Sequence, residues 1–301
     1  MAVLQDDLRV GSRRDIGGLA LFAIVGDGSA PALMLSATEA FHDGLLEVTE
    51  LENPEVPTLV ATVTGTVPVL LVEGEILLGG AQDRTLNVTV LCEAAAATRI
   101  PVSCVESGRW GGRQRRAQAS STHTSAALRA AKLASIQEDE ASRMARSSDQ
   151  GRVWRDIDAY AARHDVQSST SALEDVNLVA VPDLAAALDR LEPVPGQVGV
   201  AAMSGGRVIG LDVFDSERSL GQHLRQIVSG YVMDAAVDRD GGGTPDDVKA
   251  FLAAVDGAAV DVQPGVGLGE ELHLRAGGLT GSGLRHDGRL LHLAAFALVS
   301  A

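Results

Sequence analysis

Aromatic residues make up only 3% of this 301-residue chain, so its core must be built mainly from Leu, Val, Ile and Ala. Lysine is scarcer still: of 25 basic residues, all but Lys132 and Lys249 are Arg, a planar fork suited to carboxylates and phosphates. Positive charge is in deficit overall. The formal net charge is −15, and a surface of that sign repels phosphodiester backbones and anionic lipid, which argues against nucleic-acid and membrane partners. Cys92 and Cys104 are the only cysteines, too few for a disulfide framework, and neither has a His or Cys at zinc-ligand spacing. No apolar run approaches the ~18 residues that a membrane span needs. The opening MAVLQDDLRV has neither the basic start nor the apolar core of a signal peptide, so the expected location is cytoplasmic. Walker A, G-x-G-x-x-G, nucleophile-elbow and H-E-x-x-H patterns are also absent. Asp238-Arg239-Asp240-Gly241 opens like an EF-hand loop but lacks the loop's terminal Glu.

An apolar share of 46% is enough for a sizeable core, and the periodicities predict an α+β fold. A mainly antiparallel or mixed sheet is expected from the N- and C-terminal regions, with a helical middle. The expectation is one domain over 1–301: β-rich over 1–110, helical over about 111–192, mixed α/β over 193–301. Leu59–Val63 and Val67–Val72 are β-branched runs, and Leu86, Val88, Val90 and Cys92 alternate with polar neighbours as one half-buried strand. Ala126–Arg146 and Gln150–His164 read as helices. Ser204-Gly205-Gly206 predicts a hairpin, Ser216 caps a long amphipathic helix, and Thr244-Pro245-Asp246-Asp247 starts another. Leu272–Leu274 and Leu290–Leu298 read as strands, with Asp287-Gly288 turning into the last.

Reactive groups concentrate between Glu73 and Arg116. Glu73-Gly74-Glu75 follows an apolar strand, and continued alternation would put both carboxylates on one face. Such a pair can hold a divalent cation such as Mg²⁺ or share a proton; a solvated strand end is the structural alternative. Gly79-Gly80 then leads into Gln82, Asp83 and Arg84, a binding turn or a plain hairpin. Glu106-Ser107-Gly108-Arg109-Trp110 sets a carboxylate, a guanidinium and one of two tryptophans at a strand end. An indole beside an Arg makes a shelf for a base or sugar, although Glu106 and Arg109 could simply pair. Arg113, Arg115 and Arg116 form a local basic patch. Cys104 reads as a buried small hydrophobe, the histidines are scattered, and His286 beside Asp287 is the one to watch.

Glu73-Gly74-Glu75, Gly79-Gly80 with Gln82-Asp83-Arg84, and Val102 through Trp110 together resemble the signature of the ADP-ribosylglycohydrolase- and rhodanese-phosphatase-associated protein domain family. The resemblance continues in Trp154, Gly210–Phe214 and His292–Phe296, and departs at Ala81, where the family pattern carries a basic residue. It implies a role in NAD or ADP-ribose metabolism, next to a partner enzyme of that metabolism. The resulting expectation is a hydrolase of a glycosidic or phosphate ester bond in ADP-ribose, NAD or a derivative. Glu106, with Glu73 and Glu75, would be catalytic; Gln82, Asp83, Arg84, Arg109, Trp110 and Arg113 would hold substrate. A non-catalytic ADP-ribose-binding module that regulates a partner enzyme is the alternative. A scaffold whose Glu106–Arg109 contact is only an ion pair is a third.

Overall fold

The computed structural model describes residues 3–4, 7–27, 31–111, 116–180, 185–235 and 242–298. The chain begins with β1 (Arg9–Ile16), β2 (Leu19–Val25), β3 (Leu35–Ser36), α1 (Ala37–His42), β4 (Leu46–Thr49) and β5 (Thr58–Val63). It continues through β6 (Val69–Leu71), β7 (Glu75–Gly79), β8 (Arg84–Leu86), β9 (Val90–Cys92), β10 (Ala97–Cys104) and β11 (Arg116–His123). Helices follow: α2 (Ala126–Ile136), α3 (Glu140–Ala145), α4 (Gln150–Arg163), α5 (Leu173–Ala180) and α6 (Ala185–Leu188). The C-terminal part is β12 (Gln197–Ser204), β13 (Arg207–Phe214), α7 (Glu217–Ala235), α8 (Pro245–Asp256), β14 (Ala259–Pro264), β15 (Glu270–Ala276), β16 (Leu279–His286) and β17 (Arg289–Ala297).

Strands from both ends of the sequence build one eight-stranded antiparallel sheet in the order β1-β2-β12-β13-β17-β16-β15-β14, with helices from the middle: an α+β fold. Alternation gives this sheet two apolar faces. On one, Phe214 and Phe296 pack with Leu133 of α2 and Leu224 and Ile227 of α7. On the other, Phe22, Val213 and Leu293 meet Val248 and Val255 of α8. Six further strands close a barrel, β10-β5-β4-β11-β7-β8. β5 shows why it closes: Leu59, Ala61 and Val63 alternate inward and join Leu46, Val48 and Ile100 in filling a small barrel. A three-stranded sheet, β3-β6-β9, adds the one parallel pairing among the described strands, between β3 and β6. No helix among the described residues is long and apolar enough to cross a membrane.

Local capping signals hold up well. Thr244 and Asp247 form a reciprocal capping box at the start of α8, and Ser216 Oγ accepts the Ser219 N–H at the start of α7. Three expectations need correction. The run from Leu86 to Cys92 is not one strand: β8 pairs with β10 in the barrel, while β9 pairs with β6 in the small sheet. The chain leaves the barrel just after Asn87, whose N–H still bonds Pro101 O of β10 and whose side chain donates to Arg146 O and accepts from Ser103 Oγ. Ala126–Arg146 is two helices, since Asp139 caps a new one by accepting the Ser142 N–H. The stretch read as helical from 111 contains β11, whose Ala117 and Ala119 pair with Gly79 and Leu77 of the barrel. Its polar outward residues hide the strand.

Candidate functional site

Glu73 and Glu75 do not share a strand face. Glu75 N–H bonds Val72 O at 3.1 Å, which closes a turn with Gly74 at φ +89° in its third position, and the carboxylates diverge. Only Gly fits there: an added Cβ would stand 2.4 Å from His123 Cε1.

Glu73, wholly buried, enters a ring of hydrogen bonds that ties the barrel to the large sheet. Arg129 of α2 donates Nε to Glu73 Oε2 (2.8 Å) and grips Asp212 of β13 through Nη1 (3.1 Å) and Nη2 (2.8 Å). Asp212 Oδ1 also meets His292 Nε2 of β17 at 3.0 Å, and His292 Nδ1 meets Thr89 Oγ1 at 2.8 Å. Thr89 Oγ1 in turn accepts the Glu73 N–H at 3.1 Å, closing the ring. With Asp212 accepting from Nε2–H, Thr89 donates to Nδ1, and each member has a defined role. Lys132 Nζ reaches Glu73 Oε1 at 2.8 Å and also donates to Leu86 O. Tyr231 Oη donates to Asp212 Oδ2 at 2.5 Å, and the Arg129 guanidinium lies 4.5 Å from the centre of the Phe296 ring. Two carboxylates thus face two cations. Burial alone would raise both acids, but Lys132 and Arg129 hold Glu73 below its ordinary range, and Arg129 with His292 holds Asp212 well below.

Glu75 sits beside this ring without its compensation. Burial pushes its carboxyl up to about 8, and neither oxygen has a hydrogen-bond partner among the described residues. His223 Nε2 is 3.5 Å away, too long for a good bond, while its Nδ1 is fixed on Ser219 O at 2.8 Å. Burial lowers His223 to about 4 and His123 to about 3, so both imidazoles are neutral near pH 7. The two carboxylates do not fit Mg²⁺: Glu73 is occupied by two cations and Glu75 faces an imidazole. Among the described residues, no three His, Cys, Asp or Glu side chains converge as a metal site.

The other candidates gather at the opposite end of β7, about 13 Å along the strand from Glu75 at ~3.3 Å per residue. Gly80 makes the turn at φ +62°, and a Cβ there would lie 2.8 Å from Glu50 Oε1, which accepts the Ala81 N–H. Arg109 Nε donates to Glu106 Oε1 (2.8 Å), Nη1 to Gly80 O (3.0 Å), and Nη2 to both Glu106 Oε2 (2.5 Å) and Asp83 Oδ1 (2.9 Å). Asp83 N–H bonds Glu106 Oε2, and Gln82 Nε2 bonds Glu106 O. The two carboxyls around one guanidinium are displaced in opposite directions. Burial raises Asp83, with Glu106 and Glu174 adding to the rise against Gly79 N–H and Arg109. Burial would raise Glu106 too, but bonds from Arg109, the Asp83 N–H and Thr170 bring it below its ordinary value. Trp110 is 58% exposed next to this cluster.

Gln82, Asp83, Glu106 and Arg109 are therefore brought together, with exposed Trp110 following Arg109 in the chain, while Glu73 and Glu75 are not among them. Arg84 adjoins the cluster but is fully buried, donating to Val56 O, with Glu50 at 4.0 Å, so no ligand reaches it. Arg113 lies outside the described residues. Cys104 is buried with its thiol raised by burial, as expected of a small hydrophobe. His286 is not in the turn but is the last residue of β16, paired with Arg289, with its Nε2 3.6 Å from Asp287 Oδ2. The sequence reading missed Arg129, Lys132, Asp212, Tyr231 and His292. Their signal was available as single charged or polar side chains inside apolar segments: Asp212 in VIGLDVF, His292 in LLHLAAF, and one of two lysines in an Ala/Leu-rich helix.

Among known proteins, one family model matches, that of the ARG and Rhodanese-Phosphatase-superfamily-associated Protein domain, over residues 7–296. No curated protein and no solved structure matches the chain.

Proposed function

The chain belongs to the ARG and Rhodanese-Phosphatase-superfamily-associated Protein domain family, and from that premise we propose that it is a cytoplasmic hydrolase of NAD/ADP-ribose metabolism. It cleaves a glycosidic or phosphate ester bond of ADP-ribose, NAD or a derivative at the Asp83–Glu106–Arg109 cluster. One observation carries this reading: two carboxyls sharing one guanidinium, partly open to solvent, have affinities for the proton pushed apart. Opposed shifts of that kind divide the labour of acid and base. Asp83, raised by burial, is assigned the acid that protonates a leaving group, and Glu106, lowered by its bonds, the base or nucleophile. Both bond Arg109 Nη2, so those two oxygens lie at most about 5.4 Å apart, too close for the ~6.5–9.5 Å of inverting glycosidases. Exposed Trp110 offers a stacking face for the base or sugar.

The second reading is a non-catalytic module that binds the same ligands and regulates a partner enzyme. Arg109 is engaged at Nε, Nη1 and Nη2, so a ligand phosphate that takes it must dislodge Asp83 and Glu106 from the arrangement that catalysis would need.

A mass-spectrometric time course separates the two. Wild type, Glu106→Gln and Asp83→Asn are incubated with NAD, ADP-ribose, ADP-ribose phosphates and mononucleotides, with Mg²⁺ and without. The hydrolase reading expects one compound to be consumed by wild type, and both variants to bind it without turning it over. Activity should rise as Glu106 loses its proton and fall as Asp83 loses its own, giving an optimum on the acid side. An unchanged rate in Glu106→Gln removes that residue from the mechanism. No turnover across the panel leaves the binding module.

A further inference from the structure

The link between α4 and α5 returns to the Asp83–Glu106–Arg109 cluster. Residues 168–172 run antiparallel to the stretch that follows β10, with Glu106 opposite Ala172 in an isolated bridge. Leu173 N–H bonds Val105 O at 2.9 Å and Gly108 N–H bonds Thr170 O at 2.8 Å, one tie on each side of that bridge. The two backbones touch at Gly108, where an added Cβ would stand 2.8 Å from Thr170 Cα and 2.9 Å from Thr170 O. Ser168 pins the segment to α5. Its hydroxyl donates to Asp175 Oδ2 at 2.5 Å and accepts the N–H groups of Thr170 (3.3 Å) and Ala172 (2.9 Å).

Side-chain direction follows from this pairing. Residues two apart on an extended chain share a face, so Glu106 and Gly108 point the same way as Ala172 and Thr170 opposite them. Gly108 has no side chain and Ala172 only a methyl, which leaves the space between Thr170 and Glu106 clear. Diagonal neighbours of an antiparallel pair are ~7–8 Å apart, within reach of a side chain as long as glutamate's. Thr170, half-buried, adds its hydroxyl to the bonds that bring Glu106 below its ordinary value. From the barrel, Glu106 is held by Arg109 and by the Asp83 N–H. Thr170 meets it from the helical layer.

We propose that Thr170 is a positioning residue, carried on the 168–172 segment, that holds the Glu106 carboxylate in its place against Arg109. A donor aimed at a carboxylate favours its ionised form, the form a base or nucleophile needs. The backbone ties at Val105 and Gly108 keep that donor in register, and Ser168 keeps the segment from lifting away. The consequence for catalysis rests on the hydrolase reading; the hold on Glu106 does not.

The test is a carboxyl titration by NMR on the full chain, carbon-labelled at glutamate, with Glu106→Gln marking which signal belongs to Glu106. Thr170→Val removes the hydroxyl and keeps the shape; Thr170→Ser keeps the hydroxyl. Thr170→Val should raise the Glu106 midpoint by roughly half a pH unit or more, and Thr170→Ser should leave it near wild type. Arg109, Asp83 and the Cys104 thiol face Glu106 from the barrel, Glu174 of α5 acts on Asp83, and neither variant changes them. A midpoint in Thr170→Val equal to wild type, or an equal shift in Thr170→Ser, overturns the inference. Should Thr170→Val fail to fold, Thr170→Ala removes the same hydroxyl and is held to the same outcomes. If wild type consumes a substrate, the acid limb of the Thr170→Val rate profile should move to higher pH with the midpoint. If wild type consumes none, the hydrolase reading falls, and the midpoints still decide the role of Thr170.

Discussion

Glu75→Gln should make the protein more stable at neutral and alkaline pH, although it removes an acid from a carboxylate–histidine pair. The carboxyl is raised from 4.5 to about 8 by burial, with no cation beside it. Below pH 4.5 it is protonated in both folded and unfolded chains and contributes no difference. As pH rises, the unfolded chain gives up the proton while the folded chain holds it, so folding loses stability until about pH 8 and is level above that. At about 1.4 kcal/mol per unit, the loss is on the order of 3 kcal/mol at pH 7. An amide keeps the shape and carries no such linkage. His123 and His223, lowered to about 3 and about 4, work in the opposite sense and cost stability as pH falls below their ordinary 6.5. That contribution is shared by wild type and variant and drops out of the comparison. The assay is urea unfolding of both proteins from pH 5 to pH 9, read from midpoints at unchanged slope. The variant's advantage should be small at pH 5 and grow to pH 8. A variant less stable than wild type at pH 8 would refute the reasoning, because it would mean that Glu75 is ionised there and paired with a protonated His223.

Arg129→Met should cost about 3–5 kcal/mol, the usual result of removing one partner from a buried ion pair, since Glu73 and Asp212 are left short of a cation. A loss below ~1 kcal/mol in chemical unfolding would show that Lys132 and His292 suffice. Gly74→Ala should destabilise by more than ~1 kcal/mol, through the left-handed backbone and the clash with His123, and a melting temperature equal to wild type would contradict the turn.

What the sequence disclosed and what it hid divide along one physical line. Thr244-Pro245-Asp246-Asp247 and Asp287-Gly288 could be read because capping and turn chemistry are local: the capping box closes within four residues, and Asp287 and Gly288 both adopt positive φ. The pairing of β9 with β6 rather than with the barrel is not local, and the partners that divide the run, β10 for β8 and β6 for β9, lie elsewhere in the chain. Asp83, Glu106 and Arg109 were legible as candidates because all three lie at strand ends between Glu73 and Arg116, although Asp83 and Arg109 are 26 residues apart. Their wiring was not, and that wiring changes their roles: Arg109 clamps carboxyls before it can clamp a phosphate. Glu73 was noticed for the wrong reason. Its partner Arg129 is 56 residues away, and Arg129's other partner, Asp212, is 83 residues further on. No window on the sequence spans those separations.

The contrast between the two charged clusters also bears on where the proposed chemistry would sit. In the ring of Glu73, Thr89, His292, Asp212 and Arg129 each residue bonds the next, and burial is essentially complete. A ligand could enter only by breaking charge-assisted bonds that cost more to lose than a single contact returns. Such a network fixes one arrangement of the barrel on the sheet and has no idle group to offer a substrate. Around Arg109 the balance is different: one guanidinium serves two carboxyls, Asp83 is left partly uncompensated, and the Arg109 side chain keeps 29% exposure. Exchanging a carboxylate for a substrate anion there trades like for like, at the edge of solvent, beside an indole. Ligand exchange costs less at the outer cluster than at the inner one, so the inner ring positions the barrel and the outer cluster is where the proposed function places its substrate.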